Sequence, residues 1–242
     1  MSVLLSVSGV SKRFRGLVAV DRVEFEVPQG AIYAVVGPNG AGKTTLFNLI
    51  AGEFAPDGGT ITFAGERIDG LTPDRVCRRG VGRTFQLVRP FPGLSVEDNV
   101  IVGALLRRRQ VSAARARAHE VLRQLDLFEK RTLPASTLTL PDRKRLEIAR
   151  ALATDPKLLL LDEVMAGLRP TETNRIVAVL HDLNRETGIT ILLIEHVMRA
   201  VMALASRMLV LHHGAAIAEG APADVVRESA VINSYLGAEA VA

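Results

Sequence analysis

The stretch Gly37-Pro38-Asn39-Gly40-Ala41-Gly42-Lys43-Thr44-Thr45 constrains this chain more than any other. It fits the G-x-x-x-x-G-K-[ST] pattern of a phosphate-binding loop, whose meaning depends on its flanks. Ile32-Tyr33-Ala34-Val35-Val36 precedes it, a short apolar run of the kind a buried parallel strand shows. Leu46, Phe47, Leu49 and Ile50 follow at helical spacing, and Gly52 stands where a helix stops. Strand, glycine loop and helix together give the motif its required context.

The residue types dictate the chemistry. Gly37, Gly40 and Gly42 let the backbone curl so that successive N–H groups point inward at anionic oxygens. The helix that follows adds the positive end of its dipole at the same place. Lys43 reaches the β- and γ-phosphates in this pattern, and the Thr44 hydroxyl ligates Mg²⁺. A nucleoside triphosphate is the expected ligand.

The 242 residues suffice for one large domain or two small ones. Hydrophobic content is high at 48%, yet no apolar run approaches the roughly 18 residues of a membrane span. With no basic-then-apolar leader either, the expected location is the cytosol. The lone Cys77 excludes an internal disulfide. Thirty basic against 26 acidic residues leave a net charge of only +4, too small to imply nucleic acid, and aromatic platforms for bases are scarce.

Before the loop the pattern is β. Val3 to Val7 and Val23 to Val27 are candidate strands, the latter alternating at period two and closed by Pro28-Gln29-Gly30. Thr60 to Ala64 is another, so an antiparallel layer is expected beside the nucleotide core. Phe14 lies in the polar segment from Ser11 to Gly16 and is either an adenine-stacking aromatic or a partly buried loop residue. Arg83-Thr84-Phe85-Gln86 ends a further strand. From Pro90 to about Lys157 the pattern is helical and Arg-rich; interspersed acids such as Glu120 favour a solvated helix face over a nucleic-acid face. Asp142 is the expected cap of a helix carrying Leu146, Ala149 and Leu152.

Strands then return. Leu158 to Leu161 leads to Asp162-Glu163, a helix spans Thr171 to about Glu186, Ile189 to Ile194 leads to Glu195-His196, and a hairpin turns at His213-Gly214. The organisation expected is an α/β core with a mainly parallel sheet over 1–88 and 156–242, and a helical insertion over 89–155. Ligands of such sheets sit beyond the carboxyl ends of the strands. The loop, Gln86, Asp162-Glu163 and His196 should therefore meet in one crevice. Asp162 is placed to hold Mg²⁺, Glu163 to act as general base on an attacking water, and Gln86 to sense water or metal. His196 either bonds a γ-phosphate oxygen or is structural.

At this point the chain resembles the nucleotide-binding subunits of ABC transporters, in particular those of branched-chain amino acid importers. The residues that carry the resemblance are Gly37 to Asn48, Gly82-Arg83-Thr84-Phe85-Gln86, Leu146 to Leu152, Ile194-Glu195-His196-Val197-Met198 and Tyr235-Leu236-Gly237. The resemblance implies the ABC ATPase fold, a P-loop NTPase (RecA-like) core with an antiparallel β subdomain and an inserted helical subdomain. It implies ATP and Mg²⁺ as cofactors. It makes Phe14 the adenine-stacking aromatic, Gln86 a further metal ligand of the Q-loop, Glu163 the base and His196 the switch histidine. The loop from Gly37 to Thr45, with Pro38, Asn39 and Ala41, binds the phosphates, and Thr139 occupies the place of the signature serine. The implied partners are membrane subunits and a second ATPase subunit, identical or not, on the inner face of the membrane, with an external binding protein acting indirectly. The implied activity is ATP hydrolysis coupled to import of branched-chain amino acids or small amides. The alternatives are an ATPase acting on nucleic acid or ribosomes, and a nucleotide-gated subunit with little turnover.

Three departures stand against the family pattern. Leu138-Thr139-Leu140-Pro141-Asp142 replaces Leu-Ser-Gly-Gly-Gln, and Pro141 lacks the N–H that a glycine offers there. Val164 replaces the proline after the acidic pair. Arg169 stands where Asp or Asn is usual.

Overall fold

The computed structural model describes residues 2–85 and 90–239, with side chains through Tyr235. In chain order the first elements are β1 (Val3–Phe14), β2 (Leu17–Pro28), β3 (Ile32–Val36), α1 (Lys43–Ile50), β4 (Gly58–Phe63), β5 (Glu66–Arg67), α2 (Pro73–Arg79) and β6 (Val81–Arg83). The helical stretch holds α3 (Val96–Ala104), α4 (Val111–Gln124) and α5 (Leu140–Leu152), with two short 3₁₀ turns between α4 and α5. Then come β7 (Leu158–Asp162), α6 (Pro170–Thr187), β8 (Thr190–Ile194), α7 (Met198–Leu204), β9 (Arg207–His212), β10 (Ala215–Gly220), α8 (Pro222–Val225) and α9 (Ser229–Glu239). Two compact units result, one of residues 1–76 with 190–242 and one of residues 77–189.

The first unit contains two sheets. One is antiparallel, in the order β2-β1-β4-β5. Its period-two patterning buries Val23, Phe25 and Val27 while Glu24 and Glu26 face out. In the other sheet β3 lies between β8 and β9, parallel to both, and β10 adds antiparallel to β9. All five residues of β3 are buried, as are all five of β8. That is why these segments read as unbroken apolar runs. Leu46, Phe47, Leu49 and Ile50 of α1 are also buried. At about 1.5–3 kcal/mol for each large apolar side chain, this burial holds the strand-to-helix connection in place.

In the second unit β6 and β7 pair in parallel, with Arg83 opposite Leu160. Helix α6 buries Ile176, Leu180 and Leu183 and ends at Gly188 in the left-handed conformation. Asn99, fully buried on α3, exchanges hydrogen bonds with both backbone groups of Phe91 and donates to the Ser95 carbonyl. The Arg-rich surface is laced with acids. Arg115 and His119 contact Glu97, Arg117 pairs with Asp155 and Glu120, and Arg108 also meets Asp155. These arginines therefore form a neutralised face rather than a bare basic stripe. Among the described residues no helix is long and apolar enough to cross a membrane.

Two local expectations need correction. The segment from Ser11 to Phe14 is strand, and the turn is confined to Arg15-Gly16. Its polar residues are satisfied in that state: the Ser11 hydroxyl accepts from Arg22 N–H, and Asp57 accepts from the Lys12 ammonium and the Arg13 N–H. The N-cap position of α5 is Thr139 rather than Asp142, and no side chain caps the helix there. Pro141 suits the first helical turn, where its missing N–H has no intrahelical role, so the helix starts earlier than Asp142.

Candidate functional site

The phosphate loop leaves the carboxyl end of β3 and curls into α1. Its Lys43 is buried, and the ammonium donates to the carbonyls of Gly37 at 2.7 Å and Pro38 at 2.9 Å. The ammonium thus lies along the inside of its own loop. Helix α1 is capped by Gly42 and has no acidic residue in its first turn. The positive end of the helix dipole is therefore not offset locally, which is the arrangement an anion needs.

Two glycines are required by what lies behind the loop. Gly37 has φ +147°, and a Cβ there would stand 2.1 Å from the Leu211 carbonyl oxygen. Gly42 has φ +100°, and its Cβ would stand 2.3 Å from the Ala19 oxygen. The loop is a backbone-lined cradle pressed against β9 and β2, with no room for side chains on that side.

Sequence reasoning missed part of the support. Gly214, in the turn between β9 and β10, donates to the Ala41 carbonyl at 3.1 Å and accepts from the Asp21 N–H at 2.8 Å. Tyr235 on α9 stands against the start of the loop: burial pushes its phenol up, and the Gly37 N–H acts in the opposite direction. The only signals in the sequence were a turn dipeptide and a family-like tail.

Phe14 ends β1 at the hairpin that returns through Ala19, so it belongs to the strand pair lying along the loop. Its ring is 38% exposed, with Phe54 edge-on at 5.2 Å and the Lys12 ammonium 5.7 Å from its centre. An exposed aromatic held this way suits stacking against a flat base. His196 is exposed and follows β8, whose Ile194 lies opposite Val35 of β3. Loop and histidine thus leave the same edge of the first unit's sheet. Gln86 lies outside the described residues.

In the second unit Asp162 ends β7, buried, with its carboxylate 3.6 Å from the Arg83 guanidinium. The Thr84 hydroxyl accepts from the Asp162 N–H at 3.1 Å and fixes the strand end. Glu163 follows at φ +49°, a left-handed conformation uncommon for a side chain of this kind. Its carbonyl accepts from the Ala166 N–H at 3.2 Å and from the Lys144 ammonium at 3.0 Å.

The α5 end is occupied by its own contacts. The Thr139 hydroxyl donates to the Asp142 carboxylate at 2.9 Å, and Lys130 and Arg145 also bond that carboxylate. Burial pushes the Asp142 carboxyl up, but Lys130, Thr139 and Arg145 more than offset it and hold it below the usual range. Leu140 is exposed at the tip. Arg169 caps α6 locally, its N–H donating to Glu172 at 2.9 Å.

The residues suit the group that phosphate chemistry brings. The Thr44 hydroxyl and the Asp162 carboxylate are hard oxygen donors of the type Mg²⁺ takes. Among the described residues no cluster of three or more His, Cys, Asp or Glu could hold a metal.

The sequence model described as ABC transporter matches residues 20–166. The chain is 41% identical to the high-affinity branched-chain amino acid transport ATP-binding protein LivG of Salmonella typhimurium, over 97% of this chain and 98% of the relative. It is 39% identical to the corresponding protein BraF of Pseudomonas aeruginosa, with the same coverage. Among solved structures, a nucleotide-free ATP-binding cassette from an ABC transporter superposes with a TM-score of 0.89 at 29% identity, covering 97% of this chain and 99% of that one. An ABC transporter cassette in its ADP conformation superposes equally well, with a TM-score of 0.89. With the phosphate cradle, the sheets and the helical stretch all matched, the chain belongs to the ATP-binding cassettes of the ABC transporter family.

Proposed function

We propose that this chain is the ATP-hydrolysing subunit of an importer for branched-chain amino acids or related small amides, bound to membrane subunits on the inner face of the cell membrane. The observation that carries the reading is the 41% identity that spans nearly the full length of both this chain and LivG. Residues 89–155 form the helical arm of the cassette in this reading, and residues 1–88 with 156–242 form its nucleotide core.

The roles follow from the residue chemistry. The amides of Gly37 to Thr45 and the Lys43 ammonium bind the triphosphate, and Lys43 exchanges its two loop carbonyls for β- and γ-phosphate oxygens. Phe14 stacks on adenine. Thr44, Asp162 and Gln86 would hold Mg²⁺, which when bound would neutralise charge on the phosphates. Glu163 accepts a proton from water as the water oxygen bonds the γ-phosphorus. The bond from γ-phosphorus to the bridging oxygen breaks, and the electron pair leaves with ADP. His196 and Gln86 report the state of the γ-phosphate to the partner subunits. A strain lacking this chain should lose uptake of labelled leucine, isoleucine and valine, and the wild-type chain should restore it. The Lys43→Ala chain should restore under a tenth, since both charge and loop anchor are gone. Normal uptake in the deletion strain would defeat the assignment.

The second ATPase subunit is a different chain in this reading. The Thr139 hydroxyl is already donated to Asp142, and Pro141 offers no N–H, so the α5 end is poorly equipped to hold a partner's γ-phosphate. An intact partner completes the site on Lys43, while the reciprocal site turns over slowly. Leu140→Gly with Pro141→Gly should raise the ATPase rate of this chain alone by about 10-fold, as donors return to that helix end. An unchanged rate in a folded double variant would argue for a homodimer.

A further inference from the structure

We infer that Lys144 is a positioning residue for Glu163, tying the strained backbone of the base to the first turns of α5. The inference rests on the reading of Glu163 as general base. Three observations carry it.

First, Glu163 sits at φ +49° without being glycine. A side chain in that region costs about 1–2 kcal/mol, and the conformation persists only where the surroundings over-determine it. Second, the Glu163 carbonyl has two donors. Ala166 N–H closes the turn at 3.2 Å, and the Lys144 ammonium arrives from another element at 3.0 Å. The Ala166 bond alone is compatible with several turn types. Adding a charged donor fixes the peptide plane that follows Glu163, and with it the direction in which the side chain leaves the backbone. Third, Lys144 is only 5% exposed although it carries an ammonium. A lysine kept out of water has given up hydration and rotamer freedom, a cost met only by specific contacts.

The consequence is mechanical. Lys144 lies two residues beyond Asp142, whose carboxylate is clamped by Thr139, Lys130 and Arg145. The clamped α5 end and the backbone of Glu163 are therefore tied to the same turn of α5. Without the ammonium, the turn from Glu163 to Ala166 can relax towards right-handed backbone, and the carboxylate then points away from the direction catalysis uses. A misplacement of about 1 Å at a reacting group can cost on the order of 100-fold in rate.

The test uses the full chain with Mg-ATP, with turnover measured as the excess over Lys43→Ala and nucleotide affinity measured separately with a fluorescent ATP analogue. Lys144→Met and Lys144→Gln should lower kcat by about 10-fold or more and leave KM and analogue affinity within about 2-fold, the signature of an interaction that matters in the transition state. Lys144→Arg, which keeps a charged donor, should retain at least about a third of kcat. Lys144→Met added to Glu163→Gln should cost less than about 2-fold further, because groups acting as one unit are non-additive. Thermal melting of each variant separates a folding defect from a positioning defect. A folded Lys144→Met within 2-fold of wild type would overturn the inference. So would a loss in KM alone, failure of the arginine to rescue, or a full multiplicative loss on top of Glu163→Gln. If Glu163→Gln itself keeps its turnover, the base assignment fails first, and the two failures are told apart.

Discussion

Glu163→Gln should bind ATP within about 3-fold of the wild-type affinity and hydrolyse it about 100- to 1,000-fold more slowly, the range expected when a positioned general base is removed. The substitution is nearly isosteric and touches nothing that shapes the backbone. The Glu163 carbonyl still accepts from Ala166 and Lys144, so the turn at φ +49° is retained. The amide differs in one respect: it cannot take a proton from water as the bond to γ-phosphorus forms. Phosphate binding belongs to the loop from Gly37 to Thr45 and is left alone. Nucleotide held without being cleaved should also accumulate the closed pair of this chain with its partner ATPase subunit, visible in gel filtration of the two chains together with ATP and not with ADP. Turnover within 3-fold of wild type would show that another group takes the proton. The Asp162 carboxylate, 3.6 Å from the Arg83 guanidinium, would then be the first to examine.

What was legible in the sequence follows a physical division. Strands buried on both faces, such as Ile32–Val36 and Leu158–Asp162, announce themselves as apolar runs. The loop follows the first of these strands and the carboxylates end the second, so both could be located along the chain with the strands. Contacts made by the reverse side of the loop were invisible. That Gly214 donates to Ala41, or that Ala19 presses on Gly42, depends on strands far apart in sequence meeting at one register. The Lys144 contact was hidden for a related reason, since a lysine on a helix reads as solvent-facing until the helix is docked. The polar run from Ser11 to Arg13 was misjudged because its partners, Arg22 and Asp57, lie on other elements. The α5 cap was misjudged because Asp142 is a good cap by residue type, yet its carboxylate is engaged by Lys130 and Arg145.

Gly42→Ala and Gly40→Ala should separate by about 1–3 kcal/mol although both replace a loop glycine at positive φ. At Gly40, φ is +78° and a Cβ would meet nothing within 4 Å. The cost there is the left-handed backbone alone, about 1–2 kcal/mol, read as a modest fall in the denaturation midpoint. At Gly42, φ is +100° and the new Cβ would lie 2.3 Å from the Ala19 carbonyl oxygen, with the Gly214 Cα at 3.5 Å behind it. Neither neighbour is the end of a flexible side chain. Ala19 belongs to β2, and the Gly214 N–H is committed to Ala41. The clash can be relieved only by moving the loop, which adds overpacking of about 1–3 kcal/mol to the backbone strain. Because Gly42 also caps α1, that movement tilts the helix end and displaces Lys43, so ATP affinity should fall by about 100-fold or more. Urea denaturation and ATP titration of the two variants measure both effects. Equal stability and equal affinity in the pair would mean that the backs of β2 and of the β9–β10 turn do not hold the loop, and that Gly42 is needed only for its φ.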